Sequence, residues 1–476
     1  MSAPSDITLS LISHTNTGKT TLARTLLRRD VGDVRDSAHV TLFNEAYTMI
    51  ESGGGRLILW DTPGFGDSAR LLARLQRMER KLVWFLSQMW DRFTNRPLWC
   101  AQQALKNVRD DADVVLYLVN ASESLVGGMF VGHEMEILSW VGKPVIALLN
   151  QTGVPRPAEE EAAEEQVWRD HLRGFPIVRE VLSMDAFTRC WVQEGKLMEK
   201  ISSVIPEPKS IAFDRLQKAW ARRNEEVFDD SMRIVAHQLT ANSLDGVTVR
   251  KESLLQKIGF NRSSLDAEWS EARQKLSESL AGRAEEAMNK LIELHGLEGR
   301  DQEGEMLKAA RRDFSEPQQV EAAVWSALSG IATGALAGLV VDLKAGGLTF
   351  GGGALLGGLG GGLSAYALIK TYNLVRGDDN KLHWSREHFR EQVKLALLSY
   401  LAVAHFGRGR GPWRRDPRPE HWQREIHDLV ESQAQIIDAV WKLASHINVG
   451  VTSVNEEMEA MMRELGRMAL LRLYAE

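Results

Sequence analysis

Cysteine is almost missing: the 476 residues hold two, Cys100 and Cys190, and neither has a second thiol or a histidine at metal-ligand spacing. That excludes a disulfide-stapled scaffold and a zinc module, and it predicts plain thiols in a reducing compartment. A large charge of either sign is missing too. The net charge is −6 and hydrophobic residues make up 44% of the chain, so the molecule as a whole is not drawn to nucleic acid and any polyanion site must be local. An apolar leader is also lacking. Met1–Asp6 is short and polar and runs directly into an apolar stretch, which predicts a protein of the cytoplasm or of the inner face of its membrane.

What is present is length for more than one core, since folds divide into units of ~100–200 residues. From Ile7 to about Pro206 short apolar runs alternate with helical segments. The runs are Ile7–Ile12, Val40–Ile50, Leu57–Trp60, Val114–Val119, Val145–Leu149 and Ile177–Leu182, the last interrupted by Arg179 and Glu180. Such alternation predicts a mostly parallel sheet with helices on both faces. Ser52-Gly53-Gly54-Gly55 predicts a hairpin turn, which makes the second strand an antiparallel edge. Trp84, Phe85, Met89, Trp90, Phe93 and Trp99 cluster between the third and fourth runs. They read as one or two extra helices packed on the domain, with an aromatic partner-binding face as the alternative.

Beyond Pro206 helical stripes replace the strand pattern. Leu265, Trp269, Ala272, Leu276, Leu280, Ala284, Ala287, Leu291 and Leu294 recur at steps of three and four, and similar stretches cover about 384–406, 421–447 and 455–474. These are core-facing positions of helices. Residues 322–341 and 345–369 carry no charge, and each run is close to the ~20 residues a bilayer helix needs. Gly330, Gly334 and Gly338 in the first, and Gly353, Gly357 and Gly361 in the second, form ridges that let helix backbones approach in lipid. A membrane-associating hairpin and a glycine-packed hairpin in water are both compatible with that pattern. The resulting division is 1–206, 207–318, 319–372 for the hairpin, and 373–476. Arg408, Arg410, Arg414, Arg415 and Arg418 form a basic loop, either solvated or facing anionic lipid or RNA phosphates. The run Glu159–Glu165 after Pro157 is the acidic first turn of a helix.

The chemistry begins after the first apolar run, at Ser13-His14-Thr15-Asn16-Thr17-Gly18-Lys19-Thr20, which leads into a helical Thr21–Arg28. Backbone N–H groups of such a loop at a helix N-terminus cradle phosphate oxygens, so Ser13, Thr15, Asn16, Thr17, Gly18, Lys19, Thr20 and Thr21 are the expected nucleotide contacts. Lys19 would neutralise the β- and γ-phosphates and the Thr20 hydroxyl would ligate Mg2+. Ser13 stands where the motif normally opens with glycine, and a left-handed φ there would be strained. The third run ends in Asp61-Thr62-Pro63-Gly64. There Asp61 can hold the magnesium through water, and the Gly64 N–H can sense a γ-phosphate. The expected fold is therefore an α/β P-loop NTPase, mostly parallel with one antiparallel edge strand, followed by an all-α region with a glycine-rich hydrophobic hairpin.

On Asn16, Asp61-Thr62-Pro63-Gly64 and the strand order, residues 5–206 resemble the translation-factor-like GTPases of the Era and TrmE type. The whole chain resembles a bacterial group of Era-like GTPases with a C-terminal helical domain of unknown function. The resemblance implies a Mg2+-dependent GTPase in which Lys19, Asp61 and Gly64 serve catalysis. It also implies that water is oriented without the glutamine other GTPases use, because Phe65 follows Gly64, and that Asn16 is a candidate potassium ligand. In the first switch, Asp36-Ser37-Ala38-His39 replaces the usual threonine pair. Ser37 is the expected second magnesium hydroxyl and Thr41 the alternative.

Base recognition departs from the pattern. Asn150-Gln151-Thr152-Gly153 lacks the carboxylate that reads guanine, leaving Asn150 and Gln151 at the base edge. Asp185 after the sixth strand either restores that charge or caps the next helix. An ATPase or relaxed NTPase is accordingly the alternative chemistry. GTP or GDP, a protein partner of unknown identity and membrane lipid through 322–369 are the expected partners. An RNA- or ribosome-associated factor ranks last, because no RNA-binding module is recognisable.

Overall fold

The structure is a computed structural model. It describes residues 6–15, 17–28, 31, 44–77, 96–122, 129–153, 156–187, 190–248, 262–297, 374–376, 381–407, 419–445 and 450–474. The aromatic group from Trp84 to Phe93, the arginine loop 408–418, the hairpin 322–369, and Asn16, Ser37 and Thr41 lie outside them. The chain forms two units, one of residues 1–226 with 404–411 and the other of 227–403 with 412–475.

The first unit is built on a six-stranded sheet of β1 (Ile7–Ser13), β2 (Glu45–Ser52), β3 (Gly55–Asp61), β4 (Val114–Asn120), β5 (Val145–Asn150) and β6 (Val178–Ser183), in the order β2-β3-β1-β4-β5-β6. All neighbours are parallel except β2 and β3, which pair antiparallel across the Ser52–Gly55 turn. Gly53 and Gly54 hold φ of 59° and 79° there, which is glycine's territory. Residues 40–43 of the second apolar run lie outside the described residues.

The strands β4 and β5 are apolar up to their final asparagines because both faces are covered. In β4, Val114, Leu116 and Leu118 join one core while Val115, Tyr117 and Val119 join the other, as the period of two requires. The first core is closed by α1 (Lys19–Leu27), α6 (Trp191–Val204) and the start of α7 (Ser210–Leu244). The second is closed by α2 (Ser68–Arg77), α3 (Arg96–Asp110), α4 (Met129–Val141) and α5 (Ala158–Leu172). Pro157 precedes α5 and Glu159, Glu160 and Glu161 fill its first turn, where carboxylates face the positive end of the helix dipole. Cys100 and Cys190 are both buried free thiols.

The second unit comprises the rest of α7 with α8 (Arg262–Leu294), α9 (Arg386–Ala404), α10 (Glu420–Ser432), α11 (Ala434–Ser445) and α12 (Val451–Tyr474). Ala272, Leu276, Leu280, Ala287 and Leu291 are the buried stripe of α8. A methyl group on Gly466 would stand 2.6 Å from Met232 Sδ, so α12 crosses α7 at glycine distance. The stretch 421–447 is two helices rather than one, because Gln433, at φ −102° and ψ 13°, ends α10. A small sheet, β7 (Val247–Thr248), β8 (Leu374–Arg376) and β9 (Lys381–Trp384) in the order β7-β9-β8, interrupts a region whose sequence reads as helix alone. Among the described residues no helix is long and apolar enough to cross a membrane.

Candidate functional site

Parallel pairing brings the carboxyl ends of β1, β3, β4, β5 and β6 to one edge of the sheet, and the loops after them meet there. The loop after β1 ends at Gly18, whose φ of 88° places it in the left-handed region, and α1 starts at Lys19 with no acidic residue in its first turn. A Cβ at Gly18 would also stand 2.8 Å from Asn150 Nδ2. Glycine is therefore required twice over, by backbone and by space.

Pairing continues past the strand ends. The Phe65 N–H donates to the Ser13 carbonyl (2.9 Å) and the Thr15 N–H to the Phe65 carbonyl (3.1 Å). This fixes the Asp61–Gly64 loop against the phosphate loop. A methyl on Gly64 would lie 2.9 Å from Lys19 Nζ and 3.0 Å from Thr15 Cα, so only glycine fits between them. Phe65 is fully buried in the α2–α4 core and points away from the loop edge, so its side chain cannot orient a water there.

Between the loops sit two buried charges. Lys19 Nζ donates to Ser13 Oγ at 2.8 Å and to the His14 carbonyl at 3.3 Å. The Thr20 hydroxyl donates to Asp61 Oδ2 at 2.6 Å. Burial lowers the Lys19 ammonium to about 8, although Asp61 and Glu134 pull it back up. Burial likewise pushes Asp61 up to about 6, against the hydrogen bond from Thr20 and the charge of Lys19. Asp61 Oδ1 has no hydrogen-bond partner, which is costly for a buried carboxylate. An orphaned anionic oxygen beside a threonine hydroxyl fits a hard divalent cation such as Mg2+. Among the described residues no group of three or more His, Cys, Asp or Glu side chains suits a metal by itself, so phosphate and water oxygens would complete its shell.

Ser13 has no strain to bear, since Arg28 and Gln151 are the only non-glycine residues of positive φ among those described. Its hydroxyl serves instead as a partner for Lys19 and for Thr17 Oγ1. Thr62 Oγ1 donates to the Leu11 carbonyl at 2.5 Å, and Thr21 is buried in α1.

The loops after β5 and β6 form the other end. Asn150 is fully buried. Its Nδ2 donates to the Thr17 carbonyl at 2.7 Å and its Oδ1 accepts from the Ala186 N–H at 2.8 Å, so it ties the phosphate loop to the loop after β6. Asp185 Oδ2 accepts from Thr152 N (2.9 Å) and Thr152 Oγ1 (3.1 Å), and its Oδ1 from Phe187 N (2.7 Å). The helix-capping alternative for Asp185 is thus replaced: Cys190 caps α6, in a box closed by Gln193. The carboxylate stands instead on the loop of Gln151, Thr152 and Gly153. Gly407 reaches the same place, donating to the Phe187 carbonyl at 3.2 Å, where a Cβ would collide with the Ala186 carbonyl at 2.2 Å.

The side chains of His14, Tyr117 and Glu134 are absent from the sequence-based site. His14 Nδ1 lies 2.8 Å from Glu134 Oε1, and the Tyr117 hydroxyl donates to Glu134 Oε2 at 2.7 Å. A glutamate on an otherwise apolar buried helix face was the one available signal.

Residues 8–151 match the family described as 50S ribosome-binding GTPase, and with the geometry above they form a GTP-binding domain of the P-loop type. No curated protein matches the chain. Two solved structures of Era are similar to it at 17% identity each. One is an Aquifex aeolicus variant bound to GDP and aluminium fluoride, covering 42% of this chain and 57% of its own at a TM-score of 0.31. The other is a complex with MgGDPNP and a piece of 16S ribosomal RNA, covering 43% and 58% at 0.32. The chain thus spans under two thirds of either Era chain, and likeness at these scores adds nothing to the assignment. Residues 173–466 match a second family model, and with more than half of its length matched, the chain belongs to the family described as Domain of unknown function (DUF3482).

Proposed function

We propose that the protein is a Mg2+-dependent GTPase that works as a nucleotide switch for its own helical region. The observation that carries this reading is the buried Lys19–Asp61 pair with its unpartnered Asp61 oxygen, set between a helix N-terminus and the Gly64 loop. Both charges are held away from water at a cost to the fold, an arrangement suited to a ligand carrying anionic oxygens and a cation.

In this reading Lys19 and the first N–H groups of α1 bind the β- and γ-phosphates, as Ser13 and the His14 carbonyl hold the ammonium in place. Thr20 and Asp61 would hold Mg2+, which supplies neutralisation of the triphosphate charge. Gly64 lets its loop come within contact of Lys19, where its N–H can report the γ-phosphate. Phe65 leaves hydrolysis without a side-chain orienter from that loop, which supports slow turnover and a switch role. Ser37 as second magnesium hydroxyl and Asn16 as potassium ligand belong to the same proposal, on sequence alone.

The base end supports guanine through Asp185. Its carboxylate stands on the Thr152–Gly153 loop and has about one lone pair left after three hydrogen bonds. That is weaker than an unencumbered carboxylate, and it keeps ATP or relaxed NTP use as the second reading. Titrating the full chain with GTP and ATP side by side, with Mg2+, tests both. GTP is expected to bind at least tenfold more tightly, and Lys19→Ala is expected to bind neither. Equal affinities would give the second reading, and full binding by Lys19→Ala would remove the site.

The uncharged runs 322–341 and 345–369 support a membrane-facing effector arm. Sedimentation with anionic liposomes, with and without GTP, is expected to carry the protein into the pellet. An unchanged supernatant fraction would dismiss the arm.

A further inference from the structure

His14 stands second in the phosphate loop, and its backbone carbonyl is the loop's internal hub. That one oxygen accepts from Ser13 Oγ at 2.5 Å, Thr17 Oγ1 at 3.1 Å and Lys19 Nζ at 3.3 Å. The imidazole of the same residue is held twice. It stacks on Phe130 of α4, with centroids 4.2 Å apart and planes 25° apart, and its Nδ1 lies 2.8 Å from Glu134 Oε1, one turn further along that helix.

Glu134 has no exposed surface, and its second oxygen is taken by the hydroxyl of the equally buried Tyr117 on β4. With Glu134 ionised, His14 Nδ1 must be the donor, so the carboxylate sets both the tautomer and the ring plane. Burial pushes Glu134 up, and the bonds from His14 and Tyr117 and the charge of Lys19 oppose that. A buried carboxylate costs several kcal/mol of desolvation in proteins generally, and an apolar side chain would fill the space more cheaply. What the carboxylate supplies is direction. The main chain of His14 is also bridged to Phe65, so the residue links β4, α4, the phosphate loop and the Gly64 loop.

We infer that Glu134 is a positioning residue for the phosphate-binding lysine, acting through His14. Tyr117 and Glu134 orient the imidazole, the imidazole fixes the His14 peptide, and that peptide's carbonyl holds Lys19 where a triphosphate meets it. The inference rests on the reading of the loop as a triphosphate site.

The test is calorimetric binding of Mg2+·GTP to the full chain carrying Glu134→Ala, His14→Ala, both changes, or Glu134→Gln. Each alanine change is expected to weaken binding about tenfold, the range for a lost hydrogen bond to a charged group. The double variant is expected to bind no worse than either single one, since both cut one tether. Glu134→Gln is expected within about twofold of wild type, because its amide accepts from His14 and donates to the Tyr117 oxygen. Additive losses would overturn the inference, as would wild-type affinity in a folded Glu134→Ala protein, or a glutamine variant as weak as alanine. Should Glu134→Ala not fold, His14→Phe keeps the stack on Phe130 and loses the bond, and is expected to show the same tenfold loss. A wild-type chain that binds no GTP would instead defeat the proposed function.

Discussion

The two ends of the loop edge handle buried polarity in opposite ways. At the phosphate end Lys19 and Asp61 are both pushed toward their neutral forms, to about 8 and about 6, and an Asp61 oxygen has no partner. At the end formed by the loops after β5 and β6, proposed above to face the base, Asn150 is bonded to protein through both ends of its amide, and Asp185 through both oxygens. The first end stores cost that a ligand can relieve, and the second spends its polar groups on holding loops together. Phosphate binding should therefore be strong and intolerant of change, whereas base selection should be modest and adjustable.

The sharpest way to break this contrast is Gly18→Ala. Its methyl group would be forced into a φ of 88° and to 2.8 Å from Asn150 Nδ2, so it disturbs both ends together. GTP affinity measured by calorimetry is expected to fall at least a hundredfold. Retained binding would mean the loops are not held as described.

Asp61→Asn separates stability from binding. The Asp61 carboxyl in the fold lies above its ordinary 3.8, so the fold favours its protonated form. Its contribution to stability is present below 3.8 and is lost as pH rises through about 6. Asp61→Asn is thus expected to raise the melting temperature of the nucleotide-free protein at pH 7, by the equivalent of roughly 3 kcal/mol, and to flatten its change between about pH 4 and 6. The same variant should lose the Mg2+ dependence of GTP binding. In the wild type, Mg2+-dependent binding should weaken below pH 6 as protons compete. A lower melting temperature in Asp61→Asn would show the carboxylate to be structural.

A smaller effect is expected from Asp185→Asn, which keeps a hydrogen-bonding shape and loses the charge. The ratio of GTP to ATP affinity should shrink about tenfold, with phosphate binding intact. An unchanged ratio would make Asp185 a loop clasp alone. The smallest effect is ionic. Replacing potassium by sodium in a turnover assay is expected to slow hydrolysis a few-fold, and equal rates would strike Asn16 from the site.

Much of the first unit was legible because it rests on local rules. Strands buried on both faces are mostly apolar, so five of the apolar runs lie within about two residues of strands, and the glycines at 53 and 54 marked the antiparallel turn. Gly18, Lys19, Thr20, Asp61 and Gly64 could be singled out for the same reason, since a strand, a bend and a helix start are written in consecutive residues, and the structure brings them together. The small sheet was not, because strands of two to four residues leave no periodicity in a helical background. Tyr117 read only as part of an apolar strand and Glu134 carried no local signal of a role, whereas the burial of Phe65 agrees with a site in which that residue orients no water.

Sequence alone determined the glycine-lysine-threonine bend after the first strand, the succession of strands along the chain and the helical character of most of the chain beyond Pro206, because each depends on neighbours a few residues away. Tertiary structure alone decided that Asp61 is left with an orphan oxygen, that Asn150 and Asp185 are already engaged, and that Glu134 holds His14 from 120 residues away. The reason is that burial and hydrogen-bond partnership come from the packing of distant segments, and those two quantities set whether a charged group serves the fold or waits for a ligand.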